Sequence, residues 1–179
     1  KDNYELDFNI NTKGLANFST QKNIPLDWKL KAFQLEKGRT FEQQVTKLYY
    51  SLNNFDDVDS DGGSYKEEED TIDWMAFKQQ FFASILSSKN GFKNINANVE
   101  NIEDEHSEYL KDFSFSTNFN VTSTELNEEL SWHFLPLEYK HLKENYGEQK
   151  FQEIIPLGWG IFGWLNKMLF MPLFNFIAS

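Results

Sequence analysis

Residues 113–121 read FSFSTNFNV. Phe113, Phe115, Thr117, Phe119 and Val121 alternate strictly with Ser114, Ser116, Asn118 and Asn120. A period of two puts successive side chains on opposite faces of a strand, so this segment is a half-buried β-strand with its aromatics turned inward. The same period recurs on both sides of it. Tyr4, Leu6, Phe8 and Ile10 alternate with acids and Asn9, and Leu26, Trp28, Leu30 and Ala32 alternate with Asp27, Lys29 and Lys31. Leu130, Trp132 and Phe134 alternate with Ser131 and His133 up to Pro136, which cannot donate to a ladder and ends the run. These alternations predict a mainly β, antiparallel sandwich with Phe113, Phe115, Phe119, Trp132 and Phe134 in its core.

Two stretches are ambiguous. In Phe41–Leu52 a helix face (Phe41, Val45, Leu48, Tyr49, Leu52) competes with a run of strand formers, and a strand from Val45 is the expectation. In Ile72–Ser87, Trp74, Phe77, Phe81 and Ile85 fit a helix face, while Phe81-Phe82 and Ile85-Leu86 fit a buried strand. Residues 14–25 and 36–40 read as loop and turn. The acidic stretch from Asn53 to Asp70 is expected to lack regular structure, and Asn90–Ser107 to be loop with one short strand. Glu138–Tyr146 predicts a short helix closed by Gly147 in the left-handed conformation. Its Lys140 and Lys143 belong to a solvated face.

The 179 residues suffice for one domain that removes roughly 70% of its unfolded surface from water. Net charge is −11, which excludes a nucleic-acid interface, because phosphate contacts need a basic footprint. With no cysteine there is neither a disulfide framework nor thiol chemistry. The 18 phenylalanines suit a sheet-rich fold. The chain opens at Lys1 without a signal peptide, and its first strand begins within four residues. It is therefore expected to be a piece of a longer protein, with an open sheet edge inviting self-association or an upstream segment.

Of the 26 residues from Ile154 to Ser179, only Lys167 is charged. A segment this apolar belongs in a core, in a partner or in a lipid interface. Three features oppose a membrane span. Lys167 lies near the middle, where a charge costs roughly 2.5–3.5 kcal/mol. Pro172 breaks the second half, and Asn166 and Asn175 add polar cost. One or two interfacial helices avoid these costs. Lys167 snorkels to the headgroups, Phe162, Leu165, Leu169 and Phe170 enter the acyl boundary, and Trp159 and Trp164 sit at headgroup depth. The expected division is a sandwich over 1–153 and an apolar helical segment over 154–179.

Asp57, Asp59, Asp61, Gly62 and Glu68 match the spacing of a calcium loop, in which alternate carboxylates converge on one ion and the last Glu closes the shell. The left flank lacks the helix such a loop needs, and acid-rich loops give this match by chance. No metal site and no cofactor are therefore expected, with calcium the one candidate. His106, His133 and His141 form no ligand cluster; His133, on the polar side of its strand, has a surface or satisfied-core role. No nucleophile–base spacing and no phosphate-binding glycine loop occur. The sequons at Asn17 and Asn120 carry little weight, since Asn120 sits in a strand.

Three blocks resemble the periplasmic domain of the YidC membrane protein insertase family, its Bacteroidetes-type members above all. Pro156–Phe176 (PLGWGIFGWLNKMLFMPLFNF) is similar to the segment that leads from that domain to a transmembrane helix. Ile72–Leu86, with Trp74, Gln79-Gln80 and Phe81-Phe82, resembles a motif preceding a strand. Leu135–Lys143 (LPLEYKHLK) resembles a strand end and the helix after it, with Leu135 where the family often has Gly. The resemblance implies the C-terminal part of a β super-sandwich similar to galactose mutarotase, with short helices at its C-terminal end. It further implies a place on the periplasmic face of the bacterial inner membrane and no catalysis. The implied partners are the Sec translocon accessory complex SecDF and nascent membrane proteins. The insertase groove lies in the membrane core, outside this chain. Fold analogy leaves a second possibility, a carbohydrate-binding or mutarotase-like module.

Overall fold

The chain is described from a computed structural model that covers residues 4–14, 23–51, 56–57, 62–121 and 125–156. Ten strands follow one another: β1 (Glu5–Thr12), β2 (Asn23–Phe33), β3 (Lys47–Tyr50), β4 (Asp56–Asp57), β5 (Gly63–Glu67), β6 (Ile72–Lys78), β7 (Phe82–Phe92), β8 (Ile95–Asn101), β9 (Tyr109–Asn120) and β10 (Leu126–Pro136). Helix α1 (Arg39–Val45) precedes β3; helix α2 (Tyr139–Tyr146) and a 3-10 turn (Phe151–Ile154) follow β10. The strands form a six-stranded sheet, β1-β10-β7-β6-β3-β4, and a four-stranded sheet, β2-β9-β8-β5. Every pairing is antiparallel. Chain contacts divide the molecule into two units, Lys1–Leu137 and Glu138–Ser179.

In β9, Phe113, Phe115 and Phe119 are buried as their alternation requires. Thr117 shares their face, and its hydroxyl donates to the Lys93 carbonyl at 2.6 Å, which satisfies it inside the sandwich. Aromatic rings join the two sheets. Phe77 of β6 stacks on Trp28 of β2 at 3.8 Å and on Phe113 of β9 at 4.9 Å, and Phe92 of β7 meets Phe115 edge-on at 5.3 Å.

The ambiguous run Ile72–Ser87 is two strands joined through Gln79–Phe81. Its mixed period has a physical cause: β6 is buried on both faces. Ile72, Met75 and Phe77 face the sandwich interior, while Trp74, Ala76 and Lys78 are 0–4% exposed on the other side. A strand covered on both sides has no polar face to report its period.

Several expectations are corrected. The strand expected from Val45 begins at Lys47, after helix α1. Three side chains at helical spacing hold that helix. The Glu42 carboxylate accepts the backbone N–H groups of Leu35 and Glu36 at 2.9 and 3.0 Å. Arg39 donates to the carbonyls of Ile102, Ser107 and Tyr109, and Gln43 to those of Ile102 and Leu110. At the helix C-terminus the Lys78 ammonium donates to the Val45 carbonyl at 2.7 Å, a favourable place for a cation.

The acidic stretch is not wholly irregular. β5 pairs with β8, and Tyr65 stacks on Tyr50 at 4.2 Å, which docks it on the core. The region after Asn90 holds the full strand β8, with Ile95, Ala97 and Val99 buried. Gly147 adopts right-handed helical angles (φ −63°, ψ −30°), and the left-handed residue is Lys150 (φ 61°). The chain passes from α2 into a turn in which the Lys150 N–H donates to the Gly147 carbonyl.

Phe134, expected in the core, is 51% exposed, and Trp132 is half-buried. The reason is the unequal width of the sheets. β2 is the edge of the narrower one, and its Trp28 reaches Phe77 of β6 and the ring of Trp132 on β10. β1 lies one strand further out. Its Phe8 and Ile10 still pack against the core, but Leu6 is 58% exposed.

Candidate functional surface

The residues expected at the membrane interface, Trp159, Phe162, Trp164, Leu165, Lys167, Leu169 and Phe170, lie outside the described residues. Of the calcium candidates, Asp59 and Asp61 also lie outside them. The Asp57 backbone belongs to β4, and the Glu68 carboxylate, just after β5, pairs with Lys66. Among the described residues, no group of three or more His, Asp or Glu side chains is placed to hold a metal ion.

His133 lies in a polar group on the face of the six-stranded sheet turned away from the sandwich core. Its Nε2 is 3.2 Å from the Ser87 Oγ, and its Nδ1 is 3.9 Å from a Glu5 carboxylate oxygen. Beside them the Ser131 hydroxyl donates to Asp7. Burial pushes the His133 pKa down to about 4, opposed by the negative charge of Asp7. Burial, with Asp7 alongside, raises the Glu5 carboxyl above its ordinary value. The serine–histidine–carboxylate order imitates a nucleophile and its base. The imidazole is 3% exposed, however, and a solute in water does not reach it. The group is packed between β1, β10 and β7, a buried rather than a surface role for His133.

Sequence reasoning misses the most distinctive surface. Nine large apolar side chains of the described residues stand 38–60% exposed, and strand register together with the anchoring of α1 places them at one end of the sandwich. At that end β1 begins and β10 finishes: the Phe134 N–H donates to the Tyr4 carbonyl, and Leu6 pairs with Trp132. β7 begins there as well, with Phe82 opposite Pro136 and Phe81 in the turn before it. In the other sheet β2 finishes where β9 begins, and Phe33 meets Tyr109 edge-on at 5.8 Å. The Gln79 amide donates to the Phe33 carbonyl at 2.9 Å, which ties the two sheet ends together. Leu35 and Phe41 complete the set, since Arg39 and Gln43 anchor α1 on the loop that links β8 to β9. Each residue looks like an ordinary strand or helix position. Only register shows that they share an end.

These features define a class: an antiparallel β-sandwich domain whose exposed apolar surface is gathered at one pole. No helix among the described residues is long and apolar enough to cross a membrane. A family model described as "YidC periplasmic domain" matches residues 1–172. Curated relatives named "Membrane protein insertase YidC" match the chain almost end to end. The protein of Bacteroides fragilis is 30% identical over 189 residues, covering 99% of this chain and 30% of the relative. That of Porphyromonas gingivalis is 28% identical over 194 residues, with the same coverage, and that of Amoebophilus asiaticus 27% over 184 residues, covering 98% and 30%. The chain belongs to the YidC periplasmic domain family. It spans about 30% of the length of the curated relatives it matches. The comparisons favour the insertase reading over the carbohydrate-binding alternative.

Proposed function

We propose that this chain is the extracytoplasmic module of a membrane protein insertase. It stands on the outer face of the bacterial inner membrane and carries out no reaction of its own. The family match over residues 1–172, on a fold of two antiparallel sheets, carries this reading. The burial of His133 fits this reading, because the histidine–carboxylate–serine group found among the described residues is withdrawn from solutes. The module assists insertion and folding of inner-membrane proteins, alone or with the Sec translocon, and its partners are SecDF and nascent membrane proteins. It uses no cofactor, calcium included. Residues 159–177 form one or two short helices along the outer surface of the membrane, with Trp159 and Trp164 at headgroup depth and Lys167 reaching toward water. β1 and β2 are sheet edges, each paired on one side among the described residues, and offer their free side to a neighbouring chain segment.

Photo-crosslinking in the intact insertase tests the partners. Probes at the exposed positions Asp27, Lys29 and Lys31 of β2 are expected to capture SecDF or nascent membrane proteins. Capture of soluble periplasmic proteins alone contradicts the reading, as does specific binding of the purified chain on a glycan array.

A further inference from the structure

We propose that the apolar pole of the sandwich is a second membrane-contacting surface, which rests on the neutral interfacial zone of a phospholipid bilayer. The inference rests on the reading of the chain as a membrane-apposed module, and adds a contact made by the folded sandwich rather than by residues 154–179.

Placement carries it. Scattered single apolar side chains on a surface need no explanation, but a concentrated set marks an interaction site. Here Tyr4, Phe33, Phe41, Phe82, Tyr109 and Phe134 come from four strands, the residue before β1 and a helix, yet all stand at one end. They spread over the ends of both sheets and α1 rather than lining one groove, which fits a fluid plane better than a single peptide. Most are aromatic, the side chains that favour the boundary between hydrocarbon and water. The end also has a direction. β10 finishes there at Pro136, so the chain leaves the sandwich at this pole on its way to the 26 residues from Ile154 that hold one charge.

Charge selects the occupant. At −11 overall, two copies repel each other, which disfavours a second copy of this chain. Glu103, Asp104, Glu105 and Glu108 lie in the loop at the same pole, between β8 and β9. They repel anionic lipid as well, so the attraction is apolar and directed at uncharged headgroups.

The chain has no cysteine of its own, so single introduced cysteines report local environment. The full 179-residue chain carries Phe41→Cys, Phe82→Cys or Lys13→Cys, each labelled with an environment-sensitive fluorophore and mixed with phosphatidylcholine vesicles. Lys13 is exposed just beyond β1, at the opposite end. Labels at 41 and 82 are expected to brighten several-fold, shift to the blue and be quenched by a shallow lipid-borne quencher. The label at 13 is expected to keep its aqueous spectrum. The unlabelled double variant Phe41→Ser with Phe82→Ser should partition to the vesicles about tenfold more weakly, equivalent to about 1.4 kcal/mol. Aqueous spectra at 41 and 82, with Trp164 emission still quenched by the vesicles, overturn the proposal and leave the reading of the C-terminal segment standing. No response from either the labels or Trp164 overturns both. Brightening at 41 and 82 with protein concentration in the absence of vesicles also overturns it and assigns the pole to a second copy.

Discussion

Phe115→Ala probes the core that the sandwich depends on. The side chain is 1% exposed, meets Phe92 edge-on at 5.3 Å, and lies between Trp28 and Ala97 in the registers of the flanking strands. Truncating a buried phenylalanine costs roughly 3–5 kcal/mol, in part for the cavity left behind. The lost aromatic pair accounts for about 0.5–1.5 kcal/mol beyond buried area. Strands hydrogen-bonded on both sides cannot collapse into the hole, so the expected loss is about 4 kcal/mol. With a urea slope of about 2 kcal/mol per molar, the unfolding midpoint falls by about 2 M. The thermal midpoint falls by roughly 8–16 °C for a domain of this size. Phe134→Ala is the control. At 51% exposed, with Trp132 as its stacking partner, it should lose no more than about 1 kcal/mol. A loss below about 1 kcal/mol for Phe115→Ala, or equal losses for the two variants, refutes the assignment of the core.

Arg39→Ala should destabilise by about 2–3 kcal/mol in urea unfolding, because a charged donor to three backbone carbonyls is removed; Arg39→Lys should not restore it, since an ammonium lacks the planar fork. Gly91→Ala should also destabilise, by more than about 1 kcal/mol. Gly91 has φ +72°, and an added Cβ would come within 2.2 Å of the Thr71 side chain. His133 makes stability depend on pH. Its folded pKa, about 4, lies below the ordinary value of 6.5, so the unfolded chain binds more protons between those values. The stability it contributes is complete above pH 6.5 and declines as pH falls toward 4. His133→Gln should flatten that part of the profile, and in the wild type the imidazole followed by NMR should titrate near 4; titration near 6.5 contradicts the burial argument.

The contrast between Phe113 and Phe134 marks what a sequence can report. Both sit in clean alternations, and both face the inside of the sandwich. Period two says which side chains share a face, but coverage depends on a second sheet whose width is a non-local property. The six-stranded sheet covers the inner face of β9, whereas the narrower four-stranded sheet leaves β1 and part of β10 overhanging. α1 is hidden for a related reason. Arg39, Glu42 and Gln43 keep the helix through bonds to backbone groups up to 70 residues away, and no local preference encodes those partners. β8 is obscured because its outward positions are Asn96, Asn98 and Glu100 and its inward ones include the small Ala97, a pattern that resembles loop. The three motif blocks that point to the family are legible because they are local strings. The apolar pole is not, because its members are scattered from Tyr4 to Phe134 and meet only through register.

The placement of residues 159–177 along the outer surface of the membrane is tested most directly by depth-dependent fluorescence quenching in the intact insertase. Lipids carrying a shallow quencher should strongly reduce a component of tryptophan emission that Trp164→Phe removes. Quenching of that component only by labels at the bilayer centre, or by none at any depth, contradicts it.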